Sequence, residues 1–154
     1  MCMKSNITVS DDNLLNSKDN TLERLWVLMR LNNVKTAVCV SYFPNDGVNK
    51  TQTDALMFEL LKNTTDLQAL GYEVAIMGDF NGRCLQKCEF SSINILHKLP
   101  SYNGKRLLQF TEASQLIIAN THKCCEGHYT RILNDQRSAI DYILLSNGLV
   151  DHVE

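Results

Sequence analysis

A layered α/β domain is the fold class that the sequence predicts, and three observations support this prediction. The chain has 154 residues, of which 44% are hydrophobic and 21% are charged, which suits one globular domain with its own core. Segments with apolar residues at every second position alternate with segments in which apolar residues recur at helical spacing. Polar side chains follow several of the apolar runs. Helices that alternate with strands pack outside a sheet, so we expect an α/β (α+β) arrangement.

A β-hairpin is the first predicted element of the domain. Apolar residues occupy alternate positions in 24–31 and again in 34–40, and Asn32-Asn33 lies between the two runs. This pattern is typical of two strands joined by a two-residue turn. The preceding polar stretch, residues 1–21, is predicted to be a disordered leader, and residues 22–154 are assigned to the domain.

A helix over residues 53–70 and a buried strand are predicted next. Thr51 and Asp54 resemble a capping box, apolar residues follow at helical spacing, and Gly71 lies where a helix would end. The apolar run 73–77 then indicates a buried strand that ends at Gly78. Farther along, a helix is predicted from about Asn103, and strands are predicted over 116–119 and 139–145.

Charge and composition restrict the kinds of partner that the chain as a whole can attract. The 15 basic and 17 acidic residues give a formal charge of −2, so any binding of a polyanion must be local. No membrane span or signal peptide is recognisable, and the six cysteines are irregularly spaced. We therefore expect a protein with reduced thiols inside the cell, in the cytoplasm or nucleus, that is neither secreted nor bound to a membrane.

Polar residues at the predicted strand ends are the candidates for a functional site. Asp79 and Asn81 are two positions apart, so in an extended segment both side chains would point to the same side. A carboxylate and an amide oxygen there would suit a hard cation such as Mg²⁺. The alternative is an Asx turn that caps the strand. Tyr42, Asn120 and Asp141 also follow apolar runs.

Three motifs carry a resemblance to the endonuclease/exonuclease/phosphatase superfamily. Residues 76–81 (Ile-Met-Gly-Asp-Phe-Asn) resemble its Gly-Asp-Phe-Asn signature, and residues 40–45 resemble its strand ending in Tyr-x-Pro. Residues 138–144 (Ser-Ala-Ile-Asp-Tyr-Ile-Leu) resemble its Ser-x-Ile-Asp-Tyr-Ile-Leu strand. The segments between them, 103–110 and 118–121, are similar to those of the endonuclease domains of non-LTR retrotransposons. The resemblance covers residues 22–148 and implies part of a four-layer α/β sandwich.

The resemblance implies a Mg²⁺-dependent endonuclease acting on DNA, with Mn²⁺ as an alternative cation and a reverse transcriptase domain as a partner in a longer parent protein. Asp79 would orient or deprotonate the attacking water, and Asn81 would hold water or a phosphate oxygen. These two residues are also the implied metal ligands. The further site residues that the resemblance implies are Tyr42 at the phosphate, Asp141 orienting a histidine, and Thr130 and Asn120 at the substrate.

The resemblance is incomplete at two positions, so the activity of the chain stays open at this point. The metal-binding glutamate of the family has no matching motif, since Glu23 opens the first hairpin strand. The catalytic histidine has none either, since Asp151-His152 follows Asp141 too closely and lacks the preceding serine. The chain is therefore expected to be an endonuclease domain, inactive if it is a fragment, or else a non-catalytic remnant that serves as a binding module.

Two further hypotheses concern metal and phosphate binding outside these motifs. Zinc would require ligands among Cys84, Cys88 and residues 122–128, whose irregular spacing argues against a structural zinc site. A surface that follows a phosphate backbone would use basic side chains near the motifs. The candidates for that surface are Lys98, Lys105, Arg106, Lys123, Arg131 and Arg137.

Overall fold

The described parts of the chain form one main β-sheet, a separate small hairpin, and helices. The structure is a computed structural model that describes residues 8–10, 24–84, 99–121, 129–134 and 136–150. The strands are β1 (Thr8–Ser10), β2 (Arg24–Leu31), β3 (Val34–Tyr42), β4 (Glu73–Asp79), β5 (Ile117–Ile118), β6 (Arg131–Leu133), β7 (Gln136–Ser138) and β8 (Asp141–Leu145). The helices are α1 (Lys50–Ala69), α2 (Tyr102–Ser114) and α3 (Asn147–Val150), with a 3₁₀ turn at Ala119–Thr121.

Among the described residues, the main sheet has six strands in the order β1-β2-β3-β4-β8-β5, while β6 and β7 form a separate two-stranded sheet. Strands β3 and β4 run parallel, and the other neighbouring pairs of this sheet are antiparallel. Parallel strands need a long crossover connection, which α1 supplies here. The mixed α/β fold class predicted from the sequence is confirmed.

The predicted hairpin is confirmed, and so is its two-residue turn. Leu31 pairs with Val34, and Asn32 and Asn33 between them have positive φ angles of 49° and 68°. Two consecutive positive φ angles belong to the turn type whose twist matches that of the flanking strands. Trp26 on the same hairpin is buried toward the helices. Its neighbour Leu25 points to the opposite face and is 53% exposed, so both faces of this hairpin carry apolar side chains.

The predicted helix exists as α1, but its start and its cap differ from the prediction. Asn49 is the N-cap, since its side-chain oxygen accepts a hydrogen bond from the backbone N–H of Gln52 at 3.0 Å. Thr51 lies inside the first turn, so the predicted capping box is wrong. Asparagine is among the strongest N-cap residues, which explains why the helix begins earlier. Gly71, with φ of +79°, follows the helix end as predicted.

Helix α2 begins within one residue of the predicted start and packs tightly against the segment that follows β4. Ser101 caps it by accepting a hydrogen bond from the N–H of Gly104 at 3.3 Å. A Cβ atom on Gly104 would lie 2.1 Å from the carbonyl oxygen of Arg83. Only glycine permits this approach, which brings the start of α2 beside the end of β4.

Two strand predictions differ from the structure in their bounds, and one strand lies where none was predicted. The strand expected over 116–119 is reduced to β5, because Ala119 enters the 3₁₀ turn. The strand expected over 139–145 begins only at Asp141, so Asp141 opens β8 instead of following an apolar run. Thr8–Ser10, within the leader predicted to be disordered, forms β1 and pairs with β2. The assigned bounds of the domain itself stay a prediction.

The core lies between one face of the main sheet and helices α1 and α2. Phe43, which follows β3, stacks on Phe80 with ring centroids 5.1 Å apart, and Phe80 meets Tyr142 edge to face. The opposite face of the sheet leaves a group of large apolar side chains 37–53% exposed: Leu25, Val40, Tyr42, Met77 and Ile143. None of the helices described is long and apolar enough to cross a lipid bilayer.

Candidate active site at the edge of the sheet

Three predicted site residues lie side by side on neighbouring strands. Tyr42 pairs with Asp79 across the parallel strands β3 and β4, and Asp79 pairs with Asp141 across the antiparallel strands β4 and β8. Side chains of directly paired residues stand on the same face of a sheet. Because β8 runs antiparallel to β4, the first residue of β8 meets the last residue of β4. The topology thus places Tyr42, Asp79 and Asp141 in one row at the sheet edge.

The carboxyl group of Asp79 is partly buried within this row. Its burial raises its pKa above the usual range for an aspartate, and the negative charge of Asp141 acts in the same direction. The backbone N–H of Asn81 donates to Asp79 Oδ1 at 2.8 Å, and this bond and the charge of Arg131 lower the pKa. In the described part of the chain neither aspartate forms an ion pair. Two neighbouring carboxylates of this kind suit a bound cation.

Asn81 does not lie in an extended segment, so the prediction that its side chain shares one side with that of Asp79 is wrong. Strand β4 ends at Asp79, and Asn81 has a positive φ of 46°. The hydrogen bond from its N–H to the Asp79 carboxylate is that of an Asx turn, the alternative considered for this pair. Its side-chain Nδ2 donates to the carbonyl oxygen of Phe43 at 2.9 Å. Asn81 thus ties the end of β4 to the segment after β3.

Thr130 and Asn120 lie beside Asp141 and fix the start of β8. Thr130 Oγ1 accepts hydrogen bonds from the N–H groups of Ile140 at 3.1 Å and Asp141 at 3.2 Å. Asn120 Nδ2 donates to the Asp141 carbonyl at 3.2 Å, and its Oδ1 accepts from the N–H of Ile143 at 2.7 Å. Both side chains therefore hold the backbone around Asp141.

A hollow of about 320 Å³ opens between these groups. Asp79, Asp141, Thr130 and Asn120 all line it. Tyr42 is paired with Asp79 on the adjacent strand and is 42% exposed. The structure thus brings together five of the six predicted site residues around this edge. Asn81 borders a neighbouring hollow instead.

Two residues that the sequence analysis did not assign to the site hold its loops in place. Asn103 is fully buried, and its Nδ2 donates to the carbonyl oxygens of Pro44 at 2.9 Å and Phe80 at 3.1 Å. It therefore links the segments after β3 and β4. Tyr142 is also buried, and its hydroxyl contacts the carbonyl of Gly82 at 2.9 Å. In the sequence, the contacts of Asn103 were indicated only by the Asn-Gly pair at the start of α2.

The zinc hypothesis finds no support in the described residues. Cys84 is buried, and its burial raises the pKa of its thiol to about 11, which disfavours the thiolate that zinc binds. Within the described ranges no three His, Cys, Asp or Glu side chains cluster in a way that could hold a metal ion. Cys88, residues 122–128 and the Asp151-His152 pair lie outside the described residues.

The basic residues proposed for a phosphate-tracking surface do not share one environment. Arg106 forms an ion pair with Asp54 at 2.7 Å on the side of the helices. The guanidinium of Arg137 lies 5.8 Å from the ring centroid of Tyr129. Arg131 borders the edge that carries Asp79. Lys98 and Lys123 lie outside the described residues.

Comparison with known proteins identifies the fold through solved structures, since the sequence matches no protein-family model and no curated protein. The endonuclease domain of TRAS1, a telomere-specific non-LTR retrotransposon, matches 96% of this chain with a TM-score of 0.56 and 12% identity. The catalytic domain of human Nocturnin matches 80% with a TM-score of 0.53 and 14% identity. An endonuclease/exonuclease/phosphatase family protein from Bacteroides thetaiotaomicron matches 80% with a TM-score of 0.50 and 13% identity. The chain has the endonuclease/exonuclease/phosphatase fold.

The chain spans only part of these structures. It covers 58% of the TRAS1 endonuclease domain and 41% of the Nocturnin domain and of the bacterial protein. The endonuclease/exonuclease/phosphatase fold predicted from the three motifs is confirmed. At 12–14% identity the comparison concerns the fold, while the roles of the site residues stay predictions.

Proposed function

We propose that this chain is part of a metal-dependent phosphodiester hydrolase and acts as a DNA endonuclease domain. The row of Tyr42, Asp79 and Asp141 beside an open hollow is the observation that carries this proposal. Hydrolysis of a phosphodiester requires a positioned water, stabilisation of charge on the phosphate oxygens, and protonation of the leaving oxygen. The row offers groups for the first two of these tasks.

The donor chemistry of the row fits a hard divalent cation. Asp79 and Asp141 offer carboxylate oxygens on paired residues. Asp79 Oδ1 accepts a hydrogen bond from the N–H of Asn81, whereas no group of the described ranges donates to Oδ2. Mg²⁺ commonly binds through one or two carboxylates and retains waters and substrate oxygens. When bound, Mg²⁺ or Mn²⁺ would neutralise charge on the phosphate and lower the pKa of a bound water.

The protein side chains would then position the substrate and the attacking water. Asp79 would accept a hydrogen bond from that water and hold it for attack. The Tyr42 hydroxyl would donate to a non-bridging phosphate oxygen. Thr130 holds the backbone at Ile140 and at Asp141 through one hydrogen bond each, so the point from which the Asp141 side chain leaves the backbone is fixed. Such preorganisation places groups before the reaction begins.

DNA is favoured over other phosphodiesters by the segments between the motifs. The TRAS1 endonuclease domain matches 96% of this chain, whereas the other structures compared above match 80%. Residues 103–110 and 118–121, which resemble linking segments of retrotransposon endonucleases, form the start of α2 and the turn that carries Asn120. We extend the proposal to a parent protein in which a reverse transcriptase domain accompanies this one.

A nicking assay on supercoiled plasmid tests this proposal. We expect Mg²⁺-dependent nicking by the chain, and a loss of roughly 10²-fold or more in the Asp79→Ala variant, as for the removal of a group that acts in proton transfer. The Asn81→Ala variant should also be slower. Asp66→Ala is the matched control, because Asp66 is exposed on α1 away from the site. Background nicking that is equal in all samples, including one with chelator, would contradict the proposal.

A non-catalytic binding module is the second candidate function. The exposed apolar face that carries Leu25, Val40, Met77 and Ile143 favours it, since large apolar patches commonly mark interaction surfaces. A domain that binds DNA with equal affinity in its wild-type and Asp79→Ala forms, without nicking it, would support this candidate.

A further inference from the structure

A second hollow adjoins the candidate active site on the other side of the Asp79–Asn81 turn. It has a volume of about 310 Å³. Its lining is mostly polar and consists of Asn45, Asp46, Asn81, Arg83, Arg131, Ser138 and Ile140. The sequence predicted roles at a phosphate for Asn81 and Arg131, whereas Arg83 was not among the basic residues singled out from it.

The two hollows are lined by residues that are direct neighbours in the chain. Thr130 and Asp141 line the first hollow, while their neighbours Arg131 and Ile140 line the second. The Asx turn at the end of β4 separates Asp79 on one side from Asn81 on the other. The two hollows are therefore adjacent on the protein surface.

The charged groups of the second hollow favour an anion. Arg83 and Arg131 bring two guanidinium groups, and the structure shows neither in an ion pair within its described ranges. Asp46 is the opposing carboxylate, but its Oδ1 already accepts the N–H of Asn103 at 2.8 Å. Within the lining, two guanidinium groups thus face one carboxylate, and guanidinium donors match phosphate oxygens in geometry. Outside the lining, the charge of Arg131 also acts on Asp79 and lowers the pKa of that carboxyl.

The backbone that carries these arginines is fixed. The N–H of Arg83 donates to Ser101 Oγ at 2.9 Å, and its carbonyl oxygen accepts from the N–H of Ser101 at 3.0 Å. Arg131 lies in β6 and pairs with Ser138 on β7. Neither backbone needs to be ordered on binding, which reduces the entropy lost when a ligand is held.

We propose that the second hollow binds a phosphate group of the same polynucleotide strand, next to the phosphodiester that lies at Asp79. Arg83 and Arg131 donate to its oxygens. The inference rests on the proposed function and deepens it, because a site with two phosphate subsites selects a polynucleotide over a small phosphomonoester. A phosphate held in this hollow would fix which phosphodiester of the polynucleotide lies at Asp79.

Equilibrium binding of a fluorescently labelled oligonucleotide in the presence of chelator tests this subsite without requiring cleavage. The variants are Arg83→Gln and Arg131→Gln. Arg30→Gln is the control, since it removes the same charge at the turn end of the hairpin, where Arg30 donates to the carbonyl of Asn33. Affinity is measured by anisotropy over a range of salt concentrations, and thermal unfolding verifies that each variant is folded.

We expect each of the two subsite variants to lose roughly tenfold in affinity at low salt, as for a lost hydrogen bond to a charged group. The slope of log K against log salt should become shallower by about 0.7 for a single strand or about 0.9 for duplex DNA with each phosphate contact removed. The control should keep the wild-type affinity and slope.

Equal behaviour of all three variants, or no binding by the wild-type protein, would overturn the subsite. Because chelator prevents metal-dependent cleavage, this result is independent of the nicking assay. A protein that binds through Arg83 and Arg131 but never nicks DNA would refute the proposed hydrolysis and leave the subsite in place.

Discussion

Replacement of Tyr142 by phenylalanine tests how the structure secures the segment that follows β4. The side chain of Tyr142 is 1% exposed, and its hydroxyl accepts from the N–H of Cys84 at 3.2 Å. The hydroxyl also lies 2.9 Å from the carbonyl oxygen of Gly82 and 2.8 Å from that of Ala139. It has one proton, so it donates to one of these carbonyls at a time.

Phenylalanine keeps the ring volume, so the change in the free energy of unfolding comes from the hydrogen-bonding groups that lose the hydroxyl as their partner. A buried N–H without a partner costs about 1–3 kcal/mol, and loss of a hydrogen bond to a carbonyl contributes about 1 kcal/mol more. We therefore expect the Tyr142→Phe variant to lose about 2–4 kcal/mol in the free energy of unfolding. Urea denaturation followed by fluorescence of Trp26, the single tryptophan, measures this change.

Tyr72→Phe is the control, because Tyr72 is only partly buried and its ring contacts Lys35 at 5.4 Å. It should change the unfolding free energy by no more than about 0.5 kcal/mol, as is usual for surface substitutions. A Tyr142→Phe variant as stable as the control would refute the reasoning that this hydroxyl anchors the segment after β4.

Two other predictions concern the strands that carry the site. In Gly78→Ala the added Cβ would lie 1.8 Å from the carbonyl oxygen of Ser41, so we expect a loss of about 3 kcal/mol in urea denaturation. Gly47→Ala is the control, because Gly47 also has a positive φ but a Cβ there would meet nothing within 4 Å. If both variants lost the same unfolding free energy, the predicted clash at Gly78 would be contradicted. Burial raises the pKa of Cys39 to about 12 and that of Cys84 to about 11, whereas the unfolded thiols ionise near 9.0. Since the folded pKa values are raised, their stabilisation is present below pH 9.0 and decreases above it, and both thiols should react with a disulfide reagent only on unfolding. Rapid reaction of either thiol in the folded protein would disprove their burial.

The elements that the sequence predicted well are those in which local chemistry and tertiary packing agree. Asn32-Asn33 both tolerate the positive φ that the hairpin turn requires, and Gly71 takes the positive φ after α1. The three motifs correctly indicated the fold, because they mark the strand ends that meet at one edge of the sheet. Tyr42, Asp79 and Asp141 were therefore identifiable before their pairing was known.

The features that could not be predicted depend on partners far away in the chain. Asp141 belongs beside Asp79 only because β8 inserts next to β4, and no local pattern reports that pairing. Asn81 was expected in an extended segment, but its contact with the Phe43 carbonyl and the Asx turn determine its conformation. The hairpin of β6 and β7 is short and exposed, so it lacks an apolar pattern. The only local sign of this hairpin in the sequence was Asn134, a residue type that tolerates the positive φ of 45° that it has in the turn.

Asp79 and Asp141 are proposed to act together in one hydrolytic site. A double-mutant cycle of plasmid nicking rates tests this proposal most directly, with wild type, Asp79→Asn, Asp141→Asn and the double variant compared in Mg²⁺. Groups that act as a unit have strongly non-additive effects, so we predict that the double variant is no slower than the slower single variant. Multiplicative losses, or nicking by the wild type no faster than by the double variant, would contradict the claim.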